Sequence, residues 1–169
     1  MKSTAKTTID PDAHTTNSDA SITEIKQCLD HLLQWYEALQ PDSLEHIHNF
    51  YASSAHFRDP FNKVQGRSQI KQIFQHMFAT LESPRFTIQD RVLEGQKAFL
   101  TWDFQFRKSN KDYLIHGGSF LQFDSAGLVV SHRDYWDSAE ELLEKLPLIG
   151  IPLRWLKRRI SVRTEAHPS

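Results

Sequence analysis

A chain of 169 residues with 39% hydrophobic and 24% charged residues can bury the core of one globular domain. Its formal net charge of −1 excludes the strong positive field of a general nucleic-acid binder. No apolar run is long enough to span a bilayer, and the first twenty residues lack the apolar centre of a secretory leader. The one cysteine, Cys28, leaves no internal disulfide, so a cytoplasmic protein is expected.

Residues 1–20, rich in Thr, Ser, Asp and Lys, are expected to form a loose polar tail. The domain proper is expected over residues 21–150. Ile22, Ile25, Leu29, Leu32, Leu33, Tyr36 and Leu39 recur at spacings of three and four, which predicts a first helix ended by Pro41. Cys28 falls within this pattern and reads as a core thiol. A short second helix carries Leu44, Ile47 and Phe50, with Asp42 or Ser43 as its cap. The segment His56 to Gly66, HFRDPFNKVQG, alternates like a short strand, and Pro60 makes it an edge piece. A third helix follows with Ile70, Ile73, Phe74, Met77 and Leu81 as its stripe.

The second half alternates with period two. Strands are predicted around Phe86 to Val92, Ala98 to Phe106, Tyr113 to Phe123 and Leu128 to Trp136. Lys108 to Asp112 and Asp124 to Gly127 read as turns. Asp137 with Glu140 forms a capping box for a last helix. Helices first and long strands after them give an α+β class: three helices packed on a curved antiparallel sheet around an apolar pocket. Residues 151–169 form a separate basic segment. Arg154, Lys157, Arg158, Arg159 and Arg163 interleave there with Leu153, Trp155, Leu156 and Ile160. That pattern suits peripheral contact with an anionic inner membrane face; the alternative is a helix packed on the domain or on a partner subunit.

Two stretches carry a family resemblance covering about Ile22 to Gly150. YASSAHFRDPFNKVQGRSQIKQIF resembles the ketosteroid isomerase segment that holds the catalytic aspartate. GLVVSHRDYWDSAEELLEKLPLIG resembles the end of limonene epoxide hydrolase. Together they identify the chain as similar to the SnoaL-like, or nuclear transport factor 2-like, superfamily, and imply its cone-shaped fold. The resemblance puts Asp59 where ketosteroid isomerase keeps its general base. That enzyme's oxyanion tyrosine falls at Trp35, beside Tyr36, and its protonated aspartate falls near Ser119. Asp134 takes the place of one acid/base aspartate of the epoxide hydrolase, whose arginine and second aspartate fall at Trp102 and Phe104. One carboxylate of each mechanism is therefore kept and the rest of each set is replaced. The resemblance also implies a homodimer through the outer face of the sheet, where Phe99 and Tyr135 would otherwise meet water.

Strand alternation assigns the pocket's side chains. Val130, His132, Asp134 and Trp136 share one face of the last strand. Leu100, Trp102 and Phe104 join them, as do Ile115, Gly117, Ser119 and Leu121, while His116 faces outward. Phe57 and Asp59 enter from the short strand. Gly117 and Gly118 leave room for a ligand or for close backbone approach. The candidate catalytic set is Asp59, Asp134 and His132. The candidate ligand-binding set is Trp35, Tyr36, Phe57, Trp102, Phe104, Ser119 and Trp136. Carboxylates in apolar surroundings are disfavoured when charged, and two close together separate into one acid and one base, which suits proton transfer. The competing readings are a turn-fixing Asp59, a structural Asp134 and a pocket that is only core. His46 and His48, two apart, make a poor metal pair, and no phosphate loop or nucleophile elbow is present. The expectation is an apolar small-molecule ligand with no metal, no cofactor and no nucleic acid. The reading is a cofactor-free isomerase, cyclase or hydratase; the alternatives are a module that binds an apolar or lipid-like ligand and a pure dimerisation domain.

Overall fold

The apolar repeat winds Ala13–Glu37 into helix α1 in the computed structural model, which describes residues 13–136 and the side chains of residues 23–136. The helix starts inside the stretch expected to be a loose tail. Thr, Ser and Asn are weak helix formers but do not break a helix as Pro does, so one fixed by its apolar stripe can extend backwards through them. Ile25, Leu29, Leu32, Leu33, Tyr36 and Leu39 are buried, and so is Trp35. The next element, Asp42–Asn49, is a 3₁₀-helix that buries Leu44 and Ile47. Neither Asp42 nor Ser43 caps it; the Ser43 hydroxyl instead bonds the N–H and carbonyl of Gln40.

Strand β1 covers Tyr51–Arg58 and pairs with the short β2, Lys63–Gln65. Gly66, at φ 105°, turns the chain into α2, Arg67–Thr80, which buries Ile70 and Phe74. Four long strands follow: β3 (Glu82–Glu94), β4 (Lys97–Lys108), β5 (Lys111–Phe123) and β6 (Val129–Trp136). The six form one sheet in the order β2-β1-β6-β5-β4-β3. The sheet is mixed rather than wholly antiparallel, because β6 lies parallel to β1. A parallel partner needs a long crossover, and everything from β2 to β5 supplies it. Two register shifts in β3, between Glu82 and Arg85 and between Ile88 and Arg91, sharpen the twist that curls the sheet around the helices.

Alternation places the core largely as expected. Ala98, Leu100, Trp102 and Phe106 of β4 are buried, as are Ile115, Ser119, Leu121 and Phe123 of β5. His116, Leu114, Phe99 and Tyr135 face outward. In β6 the expected inward Val130 yields to Val129. Phe123 pairs with Val129 but Gln122 with Ser131, so Val130 is an extra residue and the alternation slips by one. Cys28 is half-buried, its sulfur 2.3 Å from where a β-carbon would stand on Gly127, which has φ +76°. The Asp137-capped helix and the basic segment 151–169 lie outside the described residues. Among the described residues, no helix is long and apolar enough to cross a membrane, and no cluster of metal-ligating side chains occurs.

Candidate functional site

The register of three neighbouring strands assembles a polar cluster on the inner face. Ser119 of β5 stands opposite Asp134 of β6 and Leu100 of β4, while Gly117 stands opposite Trp102. The Ser119 hydroxyl donates to Asp134 Oδ1 at 2.5 Å, and the Trp102 indole N–H donates to Ser119 Oγ at 2.8 Å. His132 Nε2 lies 2.7 Å from the same Asp134 oxygen. On its other side, His132 Nδ1 lies 2.6 Å from the Tyr51 hydroxyl, which lies 2.5 Å from the hydroxyl of Tyr36. With His132 neutral and protonated on Nε2, every donor finds an acceptor: Tyr36 to Tyr51, Tyr51 to His132, and His132 and Ser119 to an ionised Asp134. Asp134 Oδ2 accepts no hydrogen bond from a described residue.

The cluster borders a cavity of about 30 Å³, enough for one water molecule. Its apolar wall is Phe74, Phe86, Ile88 and Leu100. Its polar wall is Tyr36, Trp102, Ser119, His132 and Asp134. The His132 side chain is 5% exposed and that of Asp134 is 17% exposed. Burial pushes both tyrosines far above the ordinary tyrosine range. The nearby Asp134 charge adds to this in each case; the Tyr51 hydrogen bond opposes it at Tyr36, and Tyr36 reinforces it at Tyr51. Both hydroxyls therefore stay protonated and serve as permanent donors. The result is a carboxylate with one oxygen anchored twice and the other unbonded among the described residues, on the wall of a largely apolar chamber.

Five of the sequence-derived residues meet here: Tyr36, Trp102, Ser119, His132 and Asp134. Phe57 packs edge-on against the His132 ring, with centroids 4.9 Å apart. The others stand elsewhere. Asp59 is absent from the cavity wall: its Oδ1 accepts the N–H groups of Phe61 and Asn62, and the Asn62 amide bonds both of its oxygens. It holds the β1–β2 turn. Trp35 stacks on Phe50 and donates to the Ser43 carbonyl. Phe104 stacks on Phe86 at 4.4 Å, and Trp136 packs against Phe61. The space expected at the glycines is filled. A β-carbon on Gly117 would lie 2.3 Å from the Trp102 indole, and one on Gly118 would lie 2.8 Å from the Phe99 ring. Sequence reasoning missed Tyr51, which lies in a run of Ala and Ser that hides its strand; inward Tyr51, Ala55 and Phe57 were the available signal.

Residues 32–132, more than half of the chain, match the SnoaL-like domain family, and the chain belongs to it. No match exists among curated proteins. The fold is shared with solved structures of low identity. An epoxide hydrolase from M. tuberculosis, of the LEH-like kind, is 12% identical with a TM-score of 0.60, over 80% of this chain and 98% of that one. A protein of ketosteroid isomerase-like fold from Catenulispora acidiphila, solved with trimethylamine, is 16% identical with a TM-score of 0.59, over 76% and 95%. A protein proposed to be a SnoaL-like polyketide cyclase, from Jannaschia sp. CCS1, is 11% identical with a TM-score of 0.60, over 78% and 92%.

Proposed function

We propose that the protein is a cofactor-free acid/base enzyme of the isomerase, cyclase or hydratase kind, acting on an apolar small molecule. Asp134 is the base, His132 and Ser119 hold its anchored oxygen, and the Tyr51–Tyr36 pair buffers the far side of the imidazole. The observation that carries this reading is a doubly anchored carboxylate bordering an apolar chamber, its Oδ2 unbonded among the described residues. Cyclisation and epoxide hydrolysis, the activities named for two of the similar structures, are both served by such a base.

The test is a panel of apolar ketones, followed by proton–deuterium exchange beside the carbonyl, and of apolar epoxides, followed by diol formation. Asp134→Asn is expected to lose about 10²-fold or more of whatever turnover the wild type shows. Asp59→Ala is expected to keep that turnover while losing about 1 kcal/mol of stability, the worth of a turn-capping carboxylate. Turnover that survives Asp134→Asn, or disappears in Asp59→Ala at unchanged stability, rejects the assignment. The cavity's small volume favours a second reading, a dimerisation domain whose interior is filled by Trp102. Absence of turnover across the panel would support it.

A further inference from the structure

A chamber of about 30 Å³ admits a reacting group of an atom or two, not a substrate. A second cavity of about 490 Å³, within the range of small-molecule sites, opens between the C-terminal ends of α1 and α2 and the start of β3. Tyr36 and Phe86 belong to the walls of both, so the two spaces adjoin at these residues. Leu39, Pro41, Met77, Phe78, Leu81 and Pro84 give the outer wall an apolar strip, and Gln40, Ser83, Glu37 and Arg85 make the rest of it polar. Its charged groups are two. Glu37 is tied to β3, its Oε1 accepting the Ile88 N–H at 3.0 Å. Arg85 is exposed and makes no ion pair with a described residue.

We propose that this outer groove is the binding site for the body of the ligand, and that the ligand is an elongated amphiphile with an anionic end, such as a carboxylate. Its apolar length lies along Met77, Phe78 and Leu81, and its charge pairs with Arg85. The opposite pole reaches the Asp134 chamber past Tyr36 and Phe86. The link to Asp134 rests on the acid/base reading; the groove's preference for an anionic amphiphile stands on its own residues.

Met77 is the only methionine besides Met1, so a ¹³C-methyl-methionine label gives one signal inside the groove. The full chain is titrated with decanoate, decanol and acetate. Decanoate is expected to move the Met77 methyl resonance with saturation, acetate to leave it in place, and decanol to bind more weakly than decanoate. Arg85→Gln is expected to weaken decanoate about tenfold, the factor one charge-assisted hydrogen bond supplies, and to leave decanol unchanged. Gln40→Trp, at an exposed rim position, is expected to weaken both. A Met77 signal indifferent to decanoate, or decanoate affinity unaltered by Arg85→Gln, overturns the proposal. Asp134→Asn is titrated in parallel. Decanoate is expected to bind Asp134→Asn/Arg85→Gln about tenfold more weakly than Asp134→Asn, so the groove is judged by that ratio and the catalytic reading by the turnover panel.

Discussion

Asp59 and Asp134 each follow an arginine and precede a stiff residue, and nothing in those neighbourhoods tells the two acids apart. What separates them is the set of donors that folding brings. Asp59 precedes Pro60, and the turn that follows offers it two backbone N–H groups and an amide; Asp134 sits on a strand whose neighbour presents Ser119. The two buried tyrosines give the residue scale its own pH signature. Each keeps its proton in the folded state, whereas an unfolded tyrosine releases it near pH 10. Above that pH the unfolded chain binds fewer protons than the folded one, so stability falls as pH rises. The contribution is complete below about pH 10 and is lost towards the raised folded-state values. Urea unfolding between about pH 8 and about pH 11 is expected to show this decline. Above about pH 10, Tyr51→Phe is expected to flatten it by up to about 1.4 kcal/mol per pH unit, one proton's share. The same variant should cost about 1–3 kcal/mol at neutral pH, because His132 Nδ1 loses its nearer hydroxyl and keeps only that of Tyr36 at 3.4 Å. A decline equally steep in the variant would show that the Tyr51 proton is not held by the fold.

Among the elements, β4 and β5 are locked together by Gly117 and Trp102. The indole lies where a side chain on Gly117 would be and reaches Ser119 from there. Gly117→Ala is expected to cost about 1–3 kcal/mol by overpacking, since the buried ring has no free end to swing away. It should also shift the Trp102 indole N–H resonance; a stability within a few tenths of a kcal/mol of wild type would refute the lock. Such pairings show which parts of the fold could be read from the chain. The alternation of Ala98, Leu100, Trp102 and Phe106 is local and strong, and it delivered the inner face of β4 and β5. The hydrophobic stripe of α1 was equally plain. The start of β1 was hidden, because Ala52, Ser53, Ser54 and Ala55 carry little strand preference. The extra residue at Val130 leaves no mark, because it ends the continuous apolar run Leu128, Val129, Val130. The parallel pairing of β1 with β6 depends on residues some eighty positions apart, beyond any window of local periodicity. Trp136 and Phe104 were assigned by correct alternation to the inner face, yet each is occupied by an aromatic neighbour, which alternation cannot report.

For the whole molecule, the outer face of the sheet presents apolar residues in register across three strands. Val92 pairs with Phe99 and Phe99 with Phe120, and Tyr135 stands on the same side. Val92 is 67%, Tyr135 46% and Phe99 43% exposed. Apolar residues exposed together on one face are what an association surface would cover. A homodimer through this face is expected, with a scattering mass near twice the chain's 19.7 kDa. Phe99→Glu should return it to a monomer, and a wild-type mass of one chain at micromolar concentration would reject the dimer. The position of β6 has a consequence during synthesis. It is the last of the described strands to be made, yet it lies in the middle of the sheet, with β1 on one side and β5 on the other. A growing chain that has not yet released Val129–Trp136 from the ribosome carries two bare strand edges facing an empty slot. It also lacks His132 and Asp134, leaving Tyr36, Tyr51 and Ser119 without the partners that tie them together. Insertion of one eight-residue segment therefore seals the sheet and creates the polar cluster in the same event. A nascent chain stalled short of that point would be a natural client for a chaperone that shields exposed strand edges.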